Sequence, residues 1–186
     1  DATLRGDQSS TLPTNNNVYV YPSFSGSFVF SELTKLGNLL PYGKLRMSWA
    51  QVGSDTDPYQ LGLVYTKSKF TYPGYTIGYI NNNTIPNKDL KPTRTNSFEI
   101  GIETKFLNNR MGLDITYYSQ KSKNQIMGMA SSWTSGYTYR LINAGEIDNK
   151  GLEIASHTRP IQTKDFSWDL NLNFSKNSHK VKRLVD

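Results

Sequence analysis

The chain has 186 residues, of which 36% are hydrophobic, 12% aromatic and 19% charged, and it carries a net charge of +6. The absence of cysteine excludes disulfide scaffolds, thiolate metal sites and cysteine nucleophiles, while 12 Tyr, 8 Phe and 3 Trp are too many for a disordered chain. No run approaches the ~18 apolar residues of a membrane helix, but a membrane β-barrel stays open because its strands alternate apolar and polar residues.

In chain order, Asp1-Ala2-Thr3-Leu4-Arg5 has neither initiator Met nor apolar signal core and reads as the tail of a strand already under way. Phe24, Gly26, Phe28 and Phe30 share one face of a strand that opens after Pro22. Residues 31–40 allow one helical turn before Gly37, Asn38 and Pro41 end it. Leu45, Met47 and Trp49 then oppose Arg46, Ser48 and Ala50. An irregular stretch follows from 53 to 95, with four prolines and the Asn81-Asn82-Asn83 run.

Phe98, Ile100, Ile102, Thr104 and Phe106 oppose Glu99, Gly101 and Glu103, and an Asn-rich turn of four residues leads to Met111, Leu113, Ile115 and Tyr117. A Ser/Thr/Gly/aromatic loop fills 128–139. Leu152 and Ile154 oppose Glu153 and Ala155, and Trp168, Leu170, Leu172 and Phe174 oppose Asp169, Asn171, Asn173 and Ser175. The fold class is therefore all-β, with six alternating strands.

Short and long connections alternate along the chain, which is the pattern of an up-and-down outer-membrane barrel with short periplasmic turns and long extracellular loops. The apolar faces would meet lipid, and the charged side chains Arg46, Glu99, Glu103, Asp114, Glu153 and Asp169 would line the lumen. Trp49, Phe106, Tyr117, Trp168 and Phe174 are placed for interfacial girdles. A soluble carbohydrate-binding β-sandwich is the competing architecture, with the same apolar faces hidden between two sheets. Six strands cannot close a membrane barrel, whose smallest forms have about 8, so both ends read as cuts in a longer polypeptide.

Specific blocks resemble the SusC/RagA family of TonB-linked outer-membrane transporters. They are Leu4-Arg5-Gly6-Asp7-Gln8-Ser9-Ser10, Tyr21-Pro22-Ser23-Phe24-Ser25-Gly26-Ser27-Phe28, and Leu45-Arg46-Met47-Ser48-Trp49-Ala50-Gln51-Val52-Gly53. Asn87-Lys88-Asp89-Leu90-Lys91-Pro92-Thr93, Phe98-Glu99-Ile100-Gly101-Ile102-Glu103, Phe106-Leu107-Asn108-Asn109-Arg110 and Asn143-Ala144-Gly145-Glu146-Ile147-Asp148-Asn149-Lys150-Gly151-Leu152-Glu153 follow in family order. Departures are Gln8 for the usual Gly, Tyr21 for Phe, and Pro92-Thr93 for an aromatic-acid pair. The resemblance implies a 22-stranded barrel of which residues 1–186 form part, without its plug domain, TonB-contact segment or terminal strands. It also implies import of glycans or peptides through the cell outer membrane of a Gram-negative Bacteroidota organism, driven by the TonB complex, with a SusD-like surface lipoprotein as partner. A siderophore or vitamin receptor barrel is the alternative cargo class.

No catalytic constellation is present, so no enzyme activity, cofactor or metal is expected. His157 and His179 lack metal-ligand spacing. Asp55-Thr56-Asp57 offers carboxylates for calcium but too few other ligands. Glu99, Glu103 and Asp114 resemble a glycosidase pair but suit a wet lumen better. Arg5-Gly6-Asp7 spells an adhesion tripeptide, and Asn82-Asn83-Thr84 and Asn173-Phe174-Ser175 match the glycosylation pattern. The most ligand-like segment is residues 133–140, where Trp133, Tyr137 and Tyr139 can stack on sugars or peptide side chains and Arg140 can pair with an acidic group. Its basic loops and the cluster Lys176, Lys180, Lys182 and Arg183 point to outer-membrane lipid and lipopolysaccharide. Nucleic acid is not expected, because the basic residues read as scattered over loops and strands.

Overall fold

A computed structural model of the chain describes residues 1–34, 37–70, 72–80 and 83–184. Its strands are β1 (Ala2–Gln8), β2 (Val18–Val29), β3 (Tyr42–Ser54), β4 (Thr66–Lys67), β5 (Gly78–Tyr79), β6 (Thr84–Ile85), β7 (Thr93–Phe106), β8 (Met111–Lys123), β9 (Ile126–Ala130), β10 (Tyr139–Asn143), β11 (Glu146–Gln162) and β12 (Ser167–Arg183). A seven-stranded sheet runs in the order β1-β2-β3-β7-β8-β11-β12, and all its pairings are antiparallel. Each neighbour in this sheet is the next long strand along the chain, which is a meander. The alternating pattern locates six of these strands; β1 adds the seventh. Among the described residues, helix is confined to Ser31–Thr34 and two short 3-10 turns, Gly37–Leu39 and Trp133–Ser135.

Register makes the two faces continuous. Phe28 pairs with Leu45, Leu45 with Ile102, Ile102 with Ile115, Ile115 with Ile154, and Ile154 with Phe174. Directly paired residues point to the same side, so one apolar row crosses six strands. On the same face, Met47, Ile100, Tyr117 and Leu152 form the next row, and Phe24, Trp49 and Phe98 the one beyond. The Phe24 and Trp49 rings stack with centroids 5.9 Å apart. Phe174 therefore lies in the middle of the apolar band, not at its aromatic edge.

This face is uncovered: Phe28, Phe174 and Leu172 are 52%, 55% and 58% exposed. A β-sandwich needs a second sheet over it, and among the described residues none packs there. The other sheets are a three-stranded one, β6-β10-β9, and a two-stranded one, β4-β5. Both belong to the long connections.

The two ends of the sheet differ. At one end β7 and β8 are joined by residues 107–110, where Leu107, Asn108 and Asn109 all have positive φ of 52°, 55° and 65°. Asn adopts this region at low cost, which explains the tightness of the turn. Thr163 and Phe166 close the β11–β12 turn, the Thr163 N–H donating to the Phe166 carbonyl at 2.7 Å. At the other end, residues 55–92 and 124–145 form the long connections. The buried core is also there: Leu12, Tyr19, Tyr21 and Leu90, with Leu61, Ile126 and Leu141 packed against them. Tyr19 and Tyr21 point to the polar face of β2, so the loops fold back over that face.

Candidate functional site

The polar face collects the charges. Alternation and register put Arg46, Glu99, Glu103, Asp114, Glu153 and Asp169 on the same side. Arg46 on β3 is paired with Gly101, and a glycine there leaves the way open to β8. The Arg46 Nη2 donates to Asp114 Oδ1 at 2.8 Å, to Oδ2 at 3.0 Å and to Thr116 Oγ1 at 3.1 Å. Both oxygens of Asp114 are thus committed to one guanidinium, which removes Asp114 from any glycosidase pair. Further along, the Tyr118 ring lies over Gly151, where any Cβ would collide with it.

Near the short-turn end, Arg159 Nε donates to Asp169 Oδ1 at 2.7 Å. His157 Nδ1 lies 2.7 Å from Asn171 Oδ1 on the same face. Asp169 and His157 are therefore parts of a polar ladder between β11 and β12. Asn173 also lies within β12, in regular strand, whereas Asn82 lies outside the described residues.

The long-loop end is organised by hydrogen bonds that strand pattern does not reveal. The Lys91 N–H donates to Asn143 Oδ1 at 2.7 Å, and Asn143 Nδ2 donates to the Lys91 carbonyl at 2.7 Å and the Asn124 carbonyl at 3.1 Å. One side chain at the end of β10 therefore ties the segment carrying fully buried Leu90 to the β8–β9 turn. Asp55 Oδ2 accepts from the Ser9 hydroxyl at 2.5 Å and from Thr11 at 3.3 Å. Asp55 anchors the β1–β2 connection, which answers for its carboxylate without calcium. Arg5 and Asp7 lie extended in β1 and pair with each other at 2.8 Å, so the tripeptide is not displayed on a loop tip.

The four aromatic and basic residues of the 133–140 segment lie on the β9–β10 hairpin. Trp133 is 80% exposed at its tip, on a 3-10 turn capped by Ser132 and closed by Gly136 at φ 77°. Tyr137 is half-buried, and Tyr139 and Arg140 are exposed. Tyr139 and Arg140 are successive strand residues, so they point to opposite faces of the three-stranded sheet. The structure does not bring these two together.

Most of the basic residues are spread over loops and strands, but seven of the 21 Lys and Arg gather on one face through strand register. Toward the long-loop end, from Lys176 and Lys150 outward, the face that is apolar at mid-sheet becomes cationic. It carries Arg94, Lys121, Lys123, Lys150, Lys176, Lys180 and Lys182, against Glu146 and Asp148. Lys123 meets Glu146 at 3.6 Å and Lys182 meets Asp148 at 3.8 Å.

Comparison with known proteins gives the same architecture. The family model described as TonB dependent receptor-like, beta-barrel matches residues 1–182. The TonB-dependent receptor SusC of Bacteroides thetaiotaomicron is 28% identical over 191 residues, 98% of this chain and 19% of the relative. A TonB-dependent receptor of Formosa agariphila is 28% identical over 180 residues, 95% of this chain and 18% of the relative. The chain thus spans about a fifth of the length of these curated relatives. The RagAB peptide transporter superposes with a TM-score of 0.87 at 24% identity over 99% of this chain and 20% of that one. The siderophore receptor PirA from Pseudomonas aeruginosa does so with a TM-score of 0.53 at 20% identity, over 90% of this chain and 30% of that one. With the meander, the faces and the loop asymmetry already established, the match across nearly every residue shows that this chain belongs to the TonB-dependent receptor-like β-barrel family.

Proposed function

We propose that the chain is a wall segment of an outer-membrane importer of glycans or peptides. The observation that carries this is the uncovered apolar band of the single-layer sheet. On β7 it runs from Phe98 to Phe106, which at about 3.4 Å per residue is roughly 27 Å along the strand. Tilted by roughly 40°, it stands about 20 Å tall, close to the ~25 Å lipid-facing belt of membrane barrels. Left in water, each such Ile, Leu or Phe forfeits about 1.5–3 kcal/mol of burial, so lipid is the solvent that suits this face.

The opposite face then lines the lumen, with Arg46, Glu99, Glu103, Asp114, Glu153 and Asp169 in contact with water and cargo. The long connections lie outside the cell and the tight turns in the periplasm. Energy from the TonB complex and capture by a SusD-like lipoprotein act through the rest of the polypeptide and the loop end. The kinship with SusC supports this reading.

The test uses the full polypeptide in its native host. Recovery in the outer-membrane fraction, heat-modifiable migration on a gel, and loss of glycan or peptide uptake on deletion are expected. A protein that is soluble without detergent would overturn the reading.

A further inference from the structure

Lys150 sits at the centre of a lysine cluster created by strand register. It pairs with Ser119 on β8 and Ser178 on β12. The residues two steps from those partners are Lys121 on one side and Lys176 and Lys180 on the other. Diagonal neighbours in a sheet lie about 7–8 Å apart, so four lysines rise from adjacent positions of one face. All four lysines are exposed. Among the neighbouring carboxylates, Glu146 meets Lys123 at 3.6 Å, while Asp148 stands directly opposite both Lys121 and Lys180 and meets Lys182 at 3.8 Å, so one carboxylate offsets only part of the charge of the four lysines.

The cluster lies level with the edge of the apolar band. Lys150 is in the row of Trp49 and Phe98, and Lys176 is in the row of Ile100, Tyr117 and Leu152. Long aliphatic stems let such lysines lie along the apolar surface and lift their charges to the interface. The same face at the short-turn end behaves differently. There Thr104, Phe106, Met111, Leu113, Thr158, Ile161, Trp168 and Leu170 carry no charge. The cationic edge therefore belongs to one membrane leaflet only, the one on the side of the long loops.

We infer that Lys121, Lys150, Lys176 and Lys180 form a binding site for the phosphorylated headgroups of lipopolysaccharide in the outer leaflet. This rests on the proposed outer-membrane orientation. Phosphate groups held at headgroup height are the anions that a cationic edge continuous with a lipid-facing band meets first, and attraction of basic side chains to an anionic leaflet is additive over nearby charges.

The test compares the full polypeptide with a variant carrying Lys121→Gln, Lys150→Gln, Lys176→Gln and Lys180→Gln. A control removes the same charge from the loops through Lys67→Gln, Lys69→Gln, Lys88→Gln and Lys91→Gln. Lipopolysaccharide retained after detergent exchange is measured by native mass spectrometry. Retention is expected to fall about tenfold or more in the cluster variant and to stay unchanged in the control. Enzymatic dephosphorylation of the lipid should abolish the difference. Equal retention by a folded, heat-modifiable cluster variant overturns this inference alone. Equal capture of dephosphorylated lipid, or preferential capture of an oligonucleotide by the cluster, also overturns it. Absence of the unmodified polypeptide from the outer-membrane fraction instead overturns the orientation on which it rests.

Discussion

Arg46 on β3 reaches across Gly101 of β7 to hold Asp114 on β8, its Nη2 2.8 Å and 3.0 Å from the two carboxylate oxygens. The glycine is part of the interaction, because a Cβ at 101 would sit 2.9 Å from that same nitrogen. Gly101→Val and Asp114→Asn should therefore act on one contact and show less than additive effects in combination. Both partners are about one-third exposed, 35% and 33%, so solvent screening limits the loss from Asp114→Asn to about 1 kcal/mol. Unfolding midpoints of the detergent-solubilised receptor measure it. Fully additive losses would mean that the bridge does not form.

The two faces make opposite predictions for the same new charge. Ile102 is in the middle row of the apolar band, between Leu45 and Ile115. Ile102→Lys should destabilise the folded barrel by about 2–4 kcal/mol if that row lies near the bilayer midplane. Ser48 points to the polar face beside Glu99, and Ser48→Lys should change stability by no more than about 0.5 kcal/mol. The fraction of heat-modifiable protein at rising urea distinguishes them. Equal tolerance at both sites would mean that the apolar face does not meet lipid.

The strands that sequence revealed are those with one uniformly apolar face, such as β7 and β8. β1 is less legible because only Leu4 among Ala2, Leu4 and Gly6 marks its apolar side. β11 and β12 run for 17 residues each, longer than their apolar alternation, because beyond Leu152 and Phe174 the same face turns to lysine. An alternation signal stops where the face changes solvent, although the backbone pairing continues. That change also scattered the lysines in the linear reading: Lys121, Lys150 and Lys180 are far apart in sequence and meet only through register. The core of Leu12, Leu90, Tyr19 and Tyr21 was not legible, since Tyr19 and Tyr21 share the polar face of β2 while Leu12 and Leu90 come from two separate connections.

Asn143 offers a local test of that loop end. Its amide oxygen accepts from the Lys91 N–H and its amide nitrogen donates to the Lys91 and Asn124 carbonyls. Asn143→Ala leaves these backbone groups to find water next to buried Leu90, a loss of about 1–3 kcal/mol. Loss of hydrogen-exchange protection should be confined to residues 87–92 and 124–126, with β7 and β8 unchanged. Unchanged protection of 87–92 would show that the apolar contacts of Leu90 suffice.

The expectation that cargo meets the β9–β10 hairpin can be tested one face at a time. Trp133 stands at the tip on a turn fixed by the Ser132 cap, so its ring is presented without any core to bury it. Trp133→Ala and Tyr137→Ala should each weaken cargo binding by about 1 kcal/mol or more while leaving heat-modifiable folding intact, as expected for aromatic anchors. Tyr139 and Arg140 point to opposite sides of β10, and a double-mutant cycle between Tyr139→Ala and Arg140→Ala should give a coupling near zero. Strong coupling would mean that the strand is rearranged around its ligand. Unchanged affinity in the Trp133 and Tyr137 variants would move recognition from this hairpin to another part of the polypeptide, because no other exposed ring in the segment is held by a capped turn.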